Sequence, residues 1–263
     1  MKSFKHALVI PLLMTLSLNA PLAIAAEACS SFTANGIKNW YPFVYRDKKN
    51  ELTGSLPDAA KLALDRIGLT MDIQQDLPWK RILHQLETGE LDLVLGAYWN
   101  KERAKNFHYS ELLGKDEIRV FVKKGNEFPL NSFEDLIGRI GLKLLGGSYG
   151  DEFDEFAADR LDFNEIPKSD QMIRMLDRGR SDYGILGYVE GLKHIKNLGI
   201  EGHIVALPWP ILSNGIYILM SRTAACAHRI DDLNAAFRDL QKEGLLEKLN
   251  AKHITRSTNG QLE

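Results

Sequence analysis

Two stretches of this 263-residue chain, 90 positions apart from Leu86 to Leu176, carry the same pattern. Leu86-x-x-Gly89-x-x-Asp92 runs on to Gly96, and Leu176-x-x-Gly179-x-x-Asp182 runs on to Gly187. Each reads as a helix ending on a glycine, a short polar turn, and an apolar strand that stops at another glycine. Glycine supplies the left-handed residue that closes a helix, and the aspartate can bond turn amides. A unit of this kind made twice predicts two similar α/β lobes.

The rest of the chain fits that plan, with short strands alternating with amphipathic helices. Leu69, Met71 and Ile73 alternate as a strand does, while Leu56, Ala60, Ala63 and Ile67 recur at helical spacing and Gly68 ends the run. Leu91 to Ala97, apolar apart from Asp92 and Gly96, is expected as a buried parallel strand. Further on, Ser132 caps a short helix, Arg139–Leu145 is a strand, and Asp151–Arg160 is a helix. A helix from Ser169 to near Gly179, strands at Tyr183–Leu186 and His203–Leu207, and a mostly helical Ala225–Asn250 complete the reading.

The N-terminus is expected to be a leader. Lys2 and Lys5 precede an apolar core from Ala7 to Leu18, and small residues follow from Ala20 to Ala28. This is the pattern of a secretory signal peptide, cleaved most simply after Ala25. The apolar run is short of the ~20 residues that span a bilayer, and Glu27 argues against lipid attachment at Cys29. Without Lys2 and Lys5 the balance is 31 basic against 35 acidic side chains, a formal charge of −4. That excludes the clustered basic footprint of a nucleic-acid binder. No later segment is apolar and long enough to span a membrane, so the mature chain is expected to be soluble; it is separately expected to be monomeric. Cys29 and Cys226 are the two cysteines, and an even count in an exported chain suggests one disulfide, with two unpaired thiols as the alternative.

The segment from Trp40 to Phe107 carries a series of short motifs. They are Trp40-Tyr41-Pro42-Phe43, Gly54-Ser55-Leu56-Pro57-Asp58, Pro78-Trp79, Leu86-Glu87-Thr88-Gly89-Glu90-Leu91-Asp92 and Lys101-Glu102-Arg103-Ala104-Lys105-Asn106-Phe107. In this order they resemble the amino-acid-type family of bacterial periplasmic solute-binding proteins (family 3), the receptors of many ABC importers. The resemblance implies an α/β fold of two lobes (the type II arrangement) joined by two crossings. It places the leader at residues 1–25, the first lobe at 26–117, the second at 118–213, and a return to the first lobe at 214–263. Both cysteines then fall in lobe one, where a bridge would staple the chain ends.

The same resemblance assigns the site. Arg103 matches the residue that grips a ligand carboxylate, a task for which a planar guanidinium suits better than Lys. Trp40 matches an aromatic that stacks on the ligand, and Trp79 an apolar residue on the opposite wall. Gly96, Ala97 and Tyr98 end a strand at the cleft, where main-chain carbonyls can meet an amine. Gly147, Ser148 and Tyr149 stand where the family has a turn that completes the carboxylate site, and Arg81 is a second candidate cation. One departure matters: receptors of amino acids carry an acid five residues after Asp182, and this chain has Gly187. The expected ligand is therefore a carboxylate-bearing small molecule, with or without an α-amino group. A permease is the expected partner and the periplasm the expected place.

Two enzymatic readings compete. Gly146-Gly147-Ser148-Tyr149-Gly150 matches the Gly-x-Ser-x-Gly nucleophile elbow, with Asp182 and His194, His203 or His228 as nominal partners. The resembling fold also houses cyclohexadienyl dehydratases, for which Glu190 or Glu165 would be the acid. A stand-alone ligand sensor is a further alternative. No His-x-x-x-His pair or phosphate-binding loop is present, so neither metal nor cofactor is expected.

Overall fold

The computed structural model describes residues 29–259, with side chains described as far as residue 255; the expected leader lies outside the described residues. The chain opens with β1 (Ser31–Asn35), then β2 (Asn39–Trp40), β3 (Val44–Arg46) and β4 (Leu52–Thr53), the last three forming a small sheet of their own. Next come α1 (Ser55–Arg66), β5 (Thr70–Ile73), α2 (Trp79–Thr88), β6 (Leu93–Tyr98), α3 (Lys101–Asn106) and β7 (Phe107–Tyr109). The long strand β8 (Gly114–Lys123) leads into β9 (Ile140–Leu144), α4 (Asp151–Arg160), β10 (Asp162–Ile166), α5 (Ser169–Asp177), β11 (Tyr183–Gly187), α6 (Tyr188–Leu198) and β12 (Ile204–Ala206). A second long strand, β13 (Leu212–Ser221), returns to α7 (Ile230–Lys242) and α8 (Leu245–Asn259).

The main sheet runs β10-β9-β11-β8-β13-β6-β1-β5, and its two halves are the two lobes. They meet where β8 and β13 pair antiparallel, from Leu212 opposite Ile118 to Ile216 opposite Gly114. Past that shared stretch the strands part: β8 goes on to pair with β11 and β12, and β13 with β6 and β7. Each lobe buries its own apolar cluster, one around Phe32, Leu56, Leu93 and Phe237, the other around Val120, Phe153, Tyr183 and Ile185. Each lobe thus has its own core, two strands run between them, and α6 of the second lobe packs against α8 of the first.

The repeated pattern is realised in three dimensions. Leu86 and Leu176 are both fully buried, and Gly89 and Gly179 adopt φ of 80° and 65°. The aspartates act differently from expectation: instead of bonding turn amides, each secures the neighbouring parallel strand. Asp92 Oδ2 accepts from the Thr33 amide (2.9 Å) and hydroxyl (2.7 Å), and Asp182 Oδ2 accepts from the Ile140 amide (2.7 Å). β6 also departs from expectation, since only β1 runs parallel to it and β13 runs antiparallel.

Cys29 and Cys226 form a disulfide with an S–S distance of 2.07 Å, which joins the start of β1 to the approach to α7. In the second lobe, α6 lies so close to the sheet that a methyl group on Gly191 would run into the buried Phe121 ring. Gly191→Ala should therefore cost about 1–3 kcal/mol by overpacking. Urea unfolding of the two proteins would measure it, and equal midpoints would refute the tight approach.

Candidate ligand-binding cleft

A cavity of about 710 Å³ lies between the lobes, at the ends of β6, β9 and β11. Clefts outside the carboxyl ends of parallel strands are a general ligand position in α/β folds. All nine residues expected at the site line it: Trp40, Trp79, Gly96, Ala97, Tyr98, Arg103, Gly147, Ser148 and Tyr149. Leu186, Gly187 and Glu190 add a wall from the second lobe, and Lys38 and Asp76 also contribute. Arg81, by contrast, is exposed on α2 and does not line the cavity, nor does Glu165, which is exposed and paired with Lys143 at 3.4 Å.

Arg103 owes its position to a local cap. Asn100 precedes α3 in extended conformation, and its Oδ1 accepts from the Arg103 amide at 2.8 Å. This turns the Arg103 side chain inward until only 9% of the residue is exposed. Its Nη1 donates to the Tyr98 main-chain oxygen at 3.1 Å, and its guanidinium carbon lies 5.4 Å from the Trp79 ring centre. Among the described residues no carboxylate forms an ion pair with it. Burial pulls its pKa downward, but a guanidinium keeps its proton in a protein. The result is a buried, planar cation beside a cavity, with donors left over.

The opposite end of the floor is aromatic and acidic. Gly96 has φ +114°, and a Cβ there would fall 2.9 Å from the Trp40 ring, so glycine is what lets Trp40 lie against the strand end. The Trp40 indole stacks edge-on to Tyr98 at 4.9 Å between ring centres. Its Nε1 donates to Asp116 Oδ2 (2.9 Å), and the Tyr98 hydroxyl donates to the same oxygen (2.7 Å). Sequence reading missed Asp116, although it is an acid within the apolar alternation of β8. It also fills the room beside Gly187, where a Cβ would lie 2.6 Å from Asp116 Oδ2.

Burial pushes the Asp116 carboxyl up to about 7, against the two hydrogen bonds that favour its charge, and Glu190 adds repulsion. The unfolded chain loses this proton near pH 4 while the folded chain holds it to about 7. Stability is therefore fully present at low pH, falls as pH rises between those values, and levels off above 7. Asp116→Asn should unfold at higher denaturant than the wild type at pH 8, by on the order of 2 kcal/mol, and match it near pH 4. Chemical denaturation at the two pH values checks this; a wild type unchanged by pH would contradict it.

The second-lobe turn is largely committed to protein partners. Asp154, in the first turn of α4, accepts from the Ser148 hydroxyl and from the Tyr149 amide (2.9 Å). Gly147 donates to Leu144 O (3.0 Å), and the Tyr149 hydroxyl donates to Ile185 O (2.8 Å). Ser148 also accepts from Asn100 Nδ2 (3.1 Å), and the Lys101 amide donates to the Asp151 carboxylate (3.2 Å). These bonds join the lobes beside Arg103.

The nucleophile-elbow reading fails on geometry. Ser148 bonds Asp154 and Asn100, while Asp182 holds the Ile140 amide, His203 pairs with Asp177, and His228 bonds the Ala225 carbonyl. His194 stands 3.7 Å from Glu190, which accepts from the Ser169 hydroxyl. No described histidine reaches Ser148. Among the described residues there is also no cluster suited to a metal ion, and no helix is long and apolar enough to cross a membrane.

Similarity to known proteins agrees with this geometry. The L-cystine-binding protein TcyJ of Escherichia coli (strain K12) is 22% identical over 225 residues, covering 82% of this chain and 80% of that protein. Among solved structures, the amino acid ABC transporter substrate-binding protein AbpA of Streptococcus pneumoniae, bound to L-arginine, superposes with a TM-score of 0.74. It is 18% identical, with 89% of this chain and 98% of that one covered. A histidine kinase sensor domain with similarity to periplasmic binding proteins gives 0.73 at 20% identity, covering 84% and 95%. The family model of bacterial extracellular solute-binding proteins, family 3, matches residues 35–256, and the chain belongs to that family.

Proposed function

We propose that this protein captures a small carboxylate-bearing solute, an amino acid or a related organic acid, between its lobes and delivers it to an ABC permease. The observation that carries the reading is Arg103: a buried guanidinium on the cleft wall, without an anionic partner among the described residues. Leaving such a cation unpaired costs several kcal/mol, which an incoming carboxylate offsets. Trp40 and Trp79 supply apolar walls for the rest of the ligand, and 710 Å³ is room enough for any single amino acid.

In this reading residues 1–25 direct export to the periplasm. Residues 26–117 and 214–263 form the lobe that carries Arg103, and residues 118–213 close over it about the stretch shared by β8 and β13. The protein acts as a monomer. TcyJ and AbpA, by their names, point to amino acids, with L-cystine and L-arginine as the first compounds to try. Native mass spectrometry of the freshly purified protein, followed by calorimetry with L-amino acids and organic acids, tests the proposal. Absence of millimolar-or-tighter binding to any of them would reject it.

A second reading, turnover in the cleft, has one supporting observation. Glu190 is a buried carboxyl on the cleft wall, 4% exposed, where a general acid would stand. Incubation with prephenate or arogenate and absorbance detection of aromatic product decides it.

A further inference from the structure

Besides the crossing strands, the two lobes meet where the start of α3 faces the start of α4, and one side chain spans the gap. Asn100 is 8% exposed and uses both ends of its amide. Within its own lobe Oδ1 accepts from the Arg103 amide (2.8 Å), and across the gap Nδ2 donates to Ser148 Oγ (3.1 Å). The direction of each bond is set by the next. Ser148 donates its one proton to Asp154, so toward Asn100 it can only accept, and its second lone pair takes the Gly150 amide (3.3 Å). Only Nδ2 can answer that acceptor, which leaves Oδ1 for Arg103. A relay of fixed polarity thus runs from Asp154 in the second lobe to the backbone of the cleft cation in the first.

Two further links surround it. The Lys101 amide opens α3 and has no acceptor within that helix; both oxygens of Asp151, in the first turn of α4, accept from it (3.2 Å each). The Asn100 amide donates to the Tyr109 hydroxyl (3.3 Å), which donates in turn to the Tyr98 main-chain oxygen (3.2 Å). That oxygen is the one that accepts from the Arg103 guanidinium. Asn100 therefore reaches Arg103 by two routes, through its own side chain and through Tyr109, while the same side chain holds the second lobe.

We infer that Asn100 is a positioning residue that couples the grip of Arg103 to closure of the cleft. With the lobes together, its amide is locked in the one orientation that caps Arg103. With them apart, Nδ2 loses its partner and the amide is free to turn. Ser148, its proton and both lone pairs engaged, then serves the closed state and not the ligand. The inference rests on the receptor reading above and deepens it, by naming the residue that links the ligand's anchor to the opposite lobe.

The test is double electron–electron resonance between nitroxide labels at two exposed positions, Lys61 of α1 and Asp159 of α4, which reads the populations of closed and open lobes. Attaching the labels through a ketone-bearing amino acid leaves the native disulfide untouched. The mature protein and its variants, each checked for folding by circular dichroism, are measured alone and with a millimolar mixture of the twenty L-α-amino acids and L-cystine. Asn100→Ser keeps an oxygen that can cap α3 but is too short to reach the second lobe. It should lower the closed-to-open ratio about three- to tenfold, the worth of one hydrogen bond, and Ser148→Ala should do the same. The double variant should fall no further than the lower of the two, because both remove one bond. Asn100→Ala loses the cap as well and should fall below Asn100→Ser when the mixture is present. Ratios that match the wild type's, losses that add in the double variant, or an Asn100→Ala no lower than Asn100→Ser overturn the inference. A mixture that leaves the wild-type distribution unchanged overturns the receptor reading, and the link to Arg103 with it; the cross-lobe bond then stands or falls on the ligand-free ratios.

Discussion

Arg103→Ala is expected to weaken affinity for the cognate ligand by about 30- to 5,000-fold, while leaving the fold intact. The range follows from removing one partner of a buried, hydrogen-bonded charge pair, which costs about 2–5 kcal/mol. Arg103→Lys should recover little of the loss. An ammonium offers no planar fork for two parallel bonds, and it cannot at once hold the Tyr98 oxygen and lie against the Trp79 ring. Stability should move the other way from affinity, because the variant no longer buries an unpaired cation; its unfolding temperature without ligand should match or exceed the wild type's. Calorimetry and thermal unfolding on the same samples separate the two effects. A variant that binds as the wild type does would remove the basis for the proposed function.

The second large effect concerns the chain ends. Opening the Cys29–Cys226 bridge, by Cys29→Ser with Cys226→Ser, should cost about 3–5 kcal/mol of stability. The bridge spans a sequence separation of 197, so in the unfolded chain it restrains a long loop. In the folded chain it secures β1, a strand inside the first-lobe sheet between β6 and β5, against the segment leading to α7. Urea unfolding with and without reductant measures the loss. Saturating ligand should restore part of it by mass action, since the ligand binds the folded state alone. An unchanged midpoint after reduction would mean that packing of α1, α7 and α8 holds the ends by itself.

Much of the architecture was legible in local patterns. α1, α4, β5, β9 and β11 fall within a residue or two of where residue pattern and glycine placement put them; α1 and α4 bury one face at helical spacing, whereas β11 is buried at every position and β5 is mostly exposed. β10 escaped notice. Asp162, Asn164 and Glu165 are exposed on a strand that pairs with β9 alone, so its alternation is weak. α6 was overlooked for a different reason: Gly191 and His194 face inward, and neither reads as apolar core.

The site divides in the same way. The segment around Arg103 could be found from sequence because the family motif that carries it, Lys101 to Phe107, is one contiguous stretch. Asp116 could not, since its meaning depends on Trp40, 76 positions earlier, and on the bare backbone of Gly187 far downstream. The Ser148 turn illustrates the same limit, as its hydroxyl is engaged by Asp154 and by Asn100 from the other lobe.

What the sequence determined by itself was the inventory: two α/β units, the glycines that end them, the cation, the aromatics and the cysteine pair. Backbone propensity and periodic burial act over a few residues, and they write themselves into the chain directly. Tertiary structure alone decided which charged side chains are desolvated and which residues line a cavity. That outcome depends on desolvation, which no side chain experiences until distant segments have closed around it.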